Sequence, residues 1–433
     1  MRLVSIALLS LLAASAGARL PAPNVVSELP RHVTPSAYRI TVAPDAAALR
    51  FEGHVSLDVR VLQPTRTIVL QGRDLTLQRA TWHDAAGHTQ PLVSTSDAAH
   101  DTLTLRAGRT LPRGAGTLEI DYTGIIGTQA AGFFALDYTT DSGTKERALY
   151  TQFESHDARR FVPSFDEPAY RTPFTLDVIA APGRMVVSNL PAERTTTEAD
   201  GRVRWHFPAT PPMSTYLLFL GVGDFERTRV AVADDRLEAG IVTRRGVVQQ
   251  GEFALKGSRE VIRDYERWFD KPFPLPKLDN IAAPGQSQFF GAMENWGAIF
   301  TFEHALLVDP ALATPADRQR IFEIAAHEIA HQWFGNAVSL ASWTVIFAKL
   351  VGLGRVRRGN EQFEQEFWSG KNLTELYQSA NTKPETAIES IASQQGVKIL
   401  LFEIIYEAVD KVREEMAGLL DPIIKEKPLG KAE

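Results

Sequence analysis

His327-Glu328-Ile329-Ala330-His331 is the stretch on which the interpretation of this chain depends. On a helix, residues four positions apart share one face, so His327 and His331 can present two imidazole nitrogens to one metal ion. Two neutral imidazoles with an open coordination position suit Zn²⁺, which lowers the pKa of bound water towards neutrality. Glu328, next to the first histidine, is then the candidate general base for a water that attacks a carbonyl. The pentad therefore predicts a zinc site with a catalytic carboxylate.

The flanking residues indicate that this pentad is helical. Thr314-Pro315 has the form of a helix start, with a capping hydroxyl and a proline at the first helical position. Asp317 follows in the first turn. The expected helix also has an apolar stripe, formed by Ile321, Ile324, Ala325 and Ile329. The alternative is that the two histidines are plain core residues of a half-buried helix.

Composition narrows the class of protein. A chain of 433 residues is long enough for about two or three domains with sizeable cores. Its hydrophobic content of 44% and charged content of 23% are ordinary for a globular protein. The net charge of −6 argues against general affinity for nucleic acid. Because there is no cysteine, any zinc must be held by His, Asp or Glu.

The N-terminus has the pattern of a secretory signal peptide, which we place at residues 1–18. Met1-Arg2 is followed by an apolar run from Leu3 to Ala14 and by the small residues Ala16-Gly17-Ala18. An N-terminal membrane anchor is the alternative, although the apolar run is short for a span. No later stretch is long and apolar enough to cross a membrane. We therefore expect a secreted or periplasmic protein with no stable membrane span after cleavage.

From about residue 35 to 230, apolar and polar side chains alternate. Such period-two alternation, interrupted by Gly, Pro and Asp turns, indicates an antiparallel β domain with one face in water. The clearest examples are Tyr38 to Val42, Val55 to Val61, Thr117 to Tyr122 and Phe174 to Val178. We place a β-rich N-terminal domain at residues 23–238.

The pattern changes near Ala239. Glu252 to Phe269 is typical of an amphipathic helix, which Phe273-Pro274 ends. A strand is expected from Leu278 to Ala283 and a short apolar strand from Ala298 to Phe302, before the helix that carries the pentad. An edge strand beside such a helix would let a substrate backbone add to the sheet.

Two longer motifs resemble the aminopeptidase N family of zinc peptidases. They are Gly291-Ala292-Met293-Glu294-Asn295-Trp296-Gly297 and, beginning 32 residues after Asn295, His327-Glu328-Ile329-Ala330-His331-Gln332-Trp333-Phe334-Gly335-Asn336. Further segments are similar to the family's N-terminal β domain: Arg31 to Pro35, Thr151 to Glu154, Ala158 to Arg160, Phe165 to Pro168 and Ser214 to Leu217. The resemblance covers about residues 31–343. It implies a zinc metallo-aminopeptidase that removes N-terminal residues from peptides.

The resemblance also implies a substrate site. Glu294 and Glu154 would bind the free α-amine, since two carboxylates at one end of a cleft favour an ammonium group. Gly291 and Ala292 would offer backbone groups to the substrate. The full predicted substrate-binding set is Glu154, Gly291, Ala292, Met293, Glu294 and Asn295. Asp166 and Arg160 are expected to form a structural pair of acid and base.

The family pattern breaks after the second histidine. The third zinc ligand of the family is a glutamate nineteen residues further on, and this position holds Leu350, with Lys349 beside it. The family's tyrosine, which steadies the oxyanion, is not located either, because Tyr377 and Tyr406 lack its context. The acids that could replace the ligand are Glu361, Glu364 and Glu366, although a charged run is usually a solvated helix face.

The end of the chain has a different resemblance. From about residue 380 to 433, segments such as Asn381-Thr382-Lys383-Pro384 and Met416-Ala417-Gly418-Leu419-Leu420 are similar to part of bacterial translation initiation factor two. One hypothesis is a chimeric chain with a junction between Trp343 and Ala380. The alternative is a divergent tail.

The predicted fold class is α+β, in three parts. They are an N-terminal antiparallel β domain, the first half of a thermolysin-like α/β catalytic domain at residues 239–343, and a divergent, helical C-terminal segment at 344–433. The predicted function is zinc-dependent aminopeptidase activity. A catalytically inactive protein that binds peptides, and a ribosome-associated role through the tail, are the alternatives.

Overall fold

The computed structural model describes residues 28–232, 236–287 and 290–338. The predicted signal peptide, Leu350 and the segment with the second resemblance lie outside these ranges. In the part of the chain that is described, no helix is long and apolar enough to cross a membrane.

The N-terminal part is built from β-strands, as the alternation predicts. In chain order they are β1 (Val33–Asp45), β2 (Arg50–Val61), β3 (Thr65–Gln71), β4 (Leu75–Asp84), β5 (Thr89–Asp97), β6 (Thr102–Leu111), β7 (Gly114–Ile125), β8 (Gly132–Thr139), β9 (Lys145–Gln152), β10 (Phe174–Ala180), β11 (Met185–Ser188), β12 (Arg194–Thr197), β13 (Val203–Phe207) and β14 (Leu220–Gly223). Within residues 28–232 they form a ten-stranded sheet, ordered β12-β13-β10-β1-β2-β7-β4-β5-β6-β3, and a four-stranded sheet, ordered β11-β14-β9-β8.

One strand pair departs from the antiparallel prediction. β1 and β10 run parallel, with Tyr38 beside Phe174 and Val42 beside Val178. A parallel pair needs a long crossover connection, and here β2 to β9 supply it. The rings of Tyr38 and Phe174 stack with their centroids 4.8 Å apart. Alternation along a single strand does not reveal the direction of its neighbour, so the sequence pattern could not show this pairing.

The predicted pairing of Asp166 with Arg160 is wrong. Asp166 is buried and accepts hydrogen bonds from Nε and the backbone amide of Arg159, both at 3.1 Å. Its other carboxylate oxygen accepts a hydrogen bond from Thr215 at 2.6 Å. Arg160 instead pairs with Asp157 and with Asp74. The short 3₁₀ helix Ala158–Arg160 turns these two neighbouring arginines in different directions, which a linear motif cannot indicate.

The second part of the molecule is a mixed sheet with helices. Its strands and helices are β15 (Phe225–Val232), β16 (Leu237–Arg244), α1 (Glu252–Phe269), β17 (Lys277–Ala283), β18 (Ala292–Met293), β19 (Ala298–Phe302), α2 (Glu303–Leu306) and α3 (Pro315–His331). Its described strands are ordered β15-β16-β17-β19-β18, and β16, β17 and β19 are parallel. The sheet therefore begins at Phe225, and the domain boundary predicted at residue 238 falls inside β16.

The local predictions for this part are confirmed, with one correction. The helix expected from Glu252 to Phe269 and the strand expected from Ala298 to Phe302 are present with those bounds. However, β19 is fully buried and lies between β17 and β18. Among the described residues, the outermost strand on this side of the sheet is β18, which pairs with β19 through Ala292 and Met293. The sheet edge to which a substrate backbone could add therefore lies in the motif Gly291–Gly297.

Aromatic packing joins the two parts. Phe300 of β19 is completely buried and lies 6.0 Å from Phe134 of β8 and 5.5 Å from Tyr150 of β9, measured between ring centroids. Both contacts are edge-to-face, the geometry that aromatic quadrupoles favour. Because β9 ends two residues before Glu154, this packing brings that glutamate towards the second sheet.

A buried amide makes a second connection between the two parts. Asn189 follows β11 and donates from Nδ2 to the carbonyl of Leu217 at 2.8 Å and to the carbonyl of Trp296 at 2.9 Å. Its Oδ1 accepts a hydrogen bond from the amide of Phe219 at 2.9 Å. Asn189 thus attaches the loop after β18 to the N-terminal part.

We expect Asn189→Leu to lower the free energy of unfolding by about 2–4 kcal/mol, because it removes three buried hydrogen bonds and leaves their backbone partners unsatisfied. Urea denaturation followed by circular dichroism measures the change. Gln129→Leu, at an exposed position, is the matched control and should change stability by less than about 0.5 kcal/mol. Equal destabilisation in both variants would contradict the role given to Asn189.

Candidate active site

The helix that carries the pentad begins as its sequence predicts. Thr314 and Asp317 form a capping box in which the Thr314 hydroxyl accepts from the Asp317 amide at 3.2 Å and the Asp317 carboxylate accepts from the Thr314 amide at 3.1 Å. Pro315 occupies the first turn. Along α3, Ile321, Ala325 and Ile329 are buried. This places His327 on an exposed face and Glu328, with only 7% exposure, on a buried one.

The two histidines are brought together with a defined orientation. Nε2 of His327 lies 3.1 Å from Nε2 of His331. Nδ1 of His331 donates to the carbonyl of Phe334 at 2.9 Å, since a carbonyl can only accept. The lone pair of a neutral His331 therefore lies on Nε2, facing His327. Burial and the neighbouring His331 lower the pKa of His327, which favours the neutral ring that metal binding needs.

This pair fits two coordination positions of zinc. Two Zn–N bonds of about 2.0–2.1 Å at a tetrahedral angle place their nitrogens about 3.3 Å apart. The hydrogen bond from His331 to a backbone carbonyl is the usual outer support of a zinc-binding imidazole. Within residues 28–232, 236–287 and 290–338, no group of three potential metal ligands is present. The described residues thus provide two candidate ligands, His327 and His331.

Three acidic side chains surround the histidine pair. Burial raises the pKa of Glu328 to about 8, with contributions from the charges of Glu294 and Glu154. The pKa of Glu294 is also raised by burial. Glu154 is more exposed than Glu294 and Glu328. Desolvation and repulsion from Glu294 nevertheless raise its pKa to about 7, although the nearby His331 acts to lower that pKa. The carboxylates therefore repel one another, and a bound cation would relieve that repulsion.

The motif Gly291–Gly297 forms the edge of the sheet and the turn that follows β18. The carbonyl of Gly291 accepts from the amide of Phe302 at 3.1 Å, and Ala292 pairs with Thr301. Met293 and Asn295 are 1% and 0% exposed, so their side chains point into the protein. Of the predicted substrate-binding set, these two could contact a ligand only through their backbones.

The turn is attached to the end of α3 by side-chain amides. Gln332 donates from Nε2 to the carbonyl of Glu294 at 3.1 Å and to the carbonyl of Glu328 at 3.2 Å, and its Oε1 accepts from the amide of Gly297 at 2.9 Å. Asn336 donates from Nδ2 to the carbonyl of Glu294 at 2.7 Å. Glu294 is therefore held by its backbone, and its carboxylate is left to contact a ligand.

Gly335 lies between the side chains of His331 and Glu294. A β-carbon built there would lie 3.1 Å from Nδ1 of His331 and 3.8 Å from Oε1 of Glu294. Its φ of 126° is in the left-handed region that favours glycine. The side chains of His331 and Glu294 therefore border the same point.

Sequence reasoning assigned no role to Gln332 or Asn336, although both lie in the second motif. The signal that could have revealed them is the placement of two side-chain amides just after His331, the second histidine of the pentad. At a helix end that packs on another segment, amides can satisfy backbone groups that have no helical partner. Their partners in the Glu294–Gly297 turn could be recognised only in the folded chain.

Two protein-family models match this chain. The family model for the peptidase M1 N-terminal domain matches residues 34–217, and that for the peptidase family M1 domain matches residues 253–399. The second match continues past Trp343, where the resemblance drawn from motifs ends.

Individual relatives are also aminopeptidases by name. The chain is 37% identical to aminopeptidase N of Acetobacter pasteurianus over 350 residues, which cover 78% of this chain and 97% of that protein. It is 29% identical to rat endoplasmic reticulum aminopeptidase 1 over 91% of this chain, but spans only 43% of that relative. For the puromycin-sensitive aminopeptidase of Caenorhabditis elegans the identity is 33%, over 80% of this chain and 36% of the relative. The chain belongs to peptidase family M1, the family of aminopeptidase N.

Proposed function

We propose that this chain is a zinc-dependent aminopeptidase that hydrolyses the first peptide bond of peptides with a free N-terminus. The observation that supports this best is a pair of imidazole nitrogens 3.1 Å apart beside three acidic side chains. The named relatives are aminopeptidases, which agrees with the same reaction.

The histidines and Glu328 would carry the chemistry. His327 and His331 would hold Zn²⁺ through their Nε2 atoms. When bound, the ion would supply a Lewis acid that polarises the scissile carbonyl and lowers the pKa of water. The Glu328 carboxylate, adjacent in sequence to His327, would accept a proton from the attacking water and deliver it to the leaving amine.

Glu294 and Glu154 would select the substrate. A protonated α-amine placed between them would form charge-assisted hydrogen bonds and relieve the repulsion from Glu294 that, together with burial, raises the pKa of Glu154. A blocked or internal amide brings no positive charge and leaves the carboxylates uncompensated. Glu154 and Glu294 would therefore favour binding of the first residue of a peptide over binding of an internal residue. Gly291 and Ala292, at the edge of the sheet, would offer backbone groups to the same ligand.

A second candidate function is a protein that binds free N-termini without hydrolysis. What favours it is the sequence at the family's third-ligand position, where Leu350 replaces a glutamate. Losing that carboxylate would weaken zinc binding while leaving the amine site intact.

Two further interpretations stay hypotheses. The first is export, which rests on residues 1–18; N-terminal sequencing of the protein from culture medium or periplasm tests it. The second is the likeness of residues 380–433 to initiation factor two. Resequencing the coding DNA between the codons for Trp343 and Ala380 tests it, and a continuous native gene would reject a chimera.

Zinc content separates the two candidate functions. We expect about one zinc per chain after purification without chelator, and at least about a 100-fold lower affinity in His331→Ala, because a direct ligand is worth more than an outer-shell partner. Elemental analysis and competition with a fluorescent chelator measure both quantities.

The control for zinc content is His100→Ala, which removes an exposed histidine whose ring contacts Asp97 in the N-terminal part. It should retain the zinc of the unmodified protein. A ratio near zero in the unmodified protein would reject the zinc enzyme and leave the second candidate.

Amine selectivity tests the substrate site. We expect Glu294→Gln to reduce the preference for leucine p-nitroanilide over its N-acetyl form about 10- to 100-fold in kcat/KM, since a charge-assisted hydrogen bond is worth about 1.5–3 kcal/mol. Steady-state hydrolysis of both anilides measures this preference. The turn itself should persist, because Gln332 and Asn336 bind the carbonyl of Glu294 and not its carboxylate.

Glu323→Gln is the matched control for this substitution. Glu323 is an exposed acid on α3 that accepts a hydrogen bond from Gln319. Its substitution should leave the preference unchanged. If Glu294→Gln retains the full preference, the amine does not bind at Glu294.

A further inference from the structure

The side chain of Gln332 uses both ends of its amide to hold the turn after β18. Its Nε2 donates to the carbonyl of Glu294, at the start of the turn, and its Oε1 accepts from the amide of Gly297, at the end. The same Nε2 also donates to the carbonyl of Glu328, one turn earlier in α3. Because Gln332 directly follows His331 in the chain, the turn is attached at the histidine pair itself.

Asn336 makes an independent attachment at the same carbonyl. Its Nδ2 donates to the Glu294 carbonyl at 2.7 Å, and its backbone amide donates to the carbonyl of His331 at 3.1 Å. The carbonyl of Glu294 thus accepts two side-chain donors from the segment that begins at His331. Both contacts relate the position of Glu294 to that of the second histidine.

Burial makes these contacts effective. Gln332 and Asn336 are both 0% exposed, so water does not compete for their hydrogen bonds. The turn is also held from the other side, where Lys277 donates from Nζ to the carbonyl of Gly297 at 2.7 Å and Asn189 donates to the carbonyl of Trp296 at 2.9 Å. With its backbone held at several points, the turn leaves Glu294 little freedom to move relative to the histidine pair.

We propose that Gln332 and Asn336 are positioning residues that set the distance between the Glu294 carboxylate and the histidine pair, and thereby the preference for a free N-terminal amine. This inference rests on the proposed function. The α-amine and the scissile carbonyl of one residue are separated by two covalent bonds, and a further residue would add about 3.3–3.6 Å. A displacement of about 1 Å in the turn is therefore enough to spoil the match between the amine site and the reacting carbonyl.

The decisive variant is Gln332→Glu. It has nearly the same shape and keeps the acceptor for the Gly297 amide, but it replaces the donor to Glu294 and Glu328 by a carboxylate oxygen that repels their carbonyls. We expect the ratio of affinities for L-leucinamide and N-acetyl-L-leucinamide, measured by calorimetry, to fall at least about 10-fold. Zinc content should be unchanged, because neither histidine is altered. For leucine p-nitroanilide, KM should rise more than kcat falls.

Asn336→Asp is a second variant that removes one donor while keeping the shape. It should lower the same ratio by a smaller factor, because Gln332 still holds the Glu294 carbonyl. This variant decides the question if Gln332→Glu does not fold. Gln129→Glu, at an exposed site, is the control and should leave the ratio unchanged.

The outcomes separate this inference from the proposed function. If the unmodified protein binds both amides equally, the proposed function is wrong and the inference falls with it. If the unmodified protein discriminates and the folded variants discriminate equally well, the function stands and the positioning role is wrong. A lower melting temperature with an unchanged affinity ratio would show a purely structural role and would also overturn the inference.

Discussion

The packing of Phe300 against Phe134 and Tyr150 is the contact on which the candidate site depends. Glu154 comes from the end of a strand in the N-terminal part, whereas Glu294 and the histidines belong to the second sheet and its helix. A pair of acids for one amine can exist only if these two parts keep a fixed separation. Buried aromatic rings provide this because they are close-packed and favour particular angles.

The same region carries an electrostatic cost. Burial raises the pKa of Glu154, Glu294 and Glu328, and the charge of Glu294 raises the pKa of Glu154 and Glu328 further. Such repulsion would push a mobile segment away. Hydrogen bonds to the backbone of the turn oppose that movement without using the carboxylate of Glu294; their donors are the side chains of Gln332, Asn336, Asn189 and Lys277. These contacts hold Glu294 near the other two acids despite the repulsion between them.

Much of the local structure follows from residue pattern. The Thr314-Pro315 helix start, the α1 helix from Glu252 to Phe269 and the strand from Ala298 to Phe302 are recognisable because capping, period and burial act within a few residues. The incorrect predictions concern which residues or strands pair with one another. Asp166 pairs with Arg159 and not with Arg160, β1 has a parallel neighbour, and β19 is covered by β18, which is the outermost described strand on that side of the sheet. Each depends on segments far apart in the chain.

The sequence by itself determined the chemical groups of the site and their local spacing. His327 and His331 share a helix face because of the helical repeat, and the Gly291–Gly297 motif supplies an acid in a turn because its residue types favour one. Only the tertiary structure decided how these groups meet. The 3.1 Å between the imidazole nitrogens, the approach of Glu154 and the amide contacts of Gln332 depend on side-chain rotamers and on packing between distant segments. Such contacts are selected by the whole core, and no short stretch of sequence specifies them.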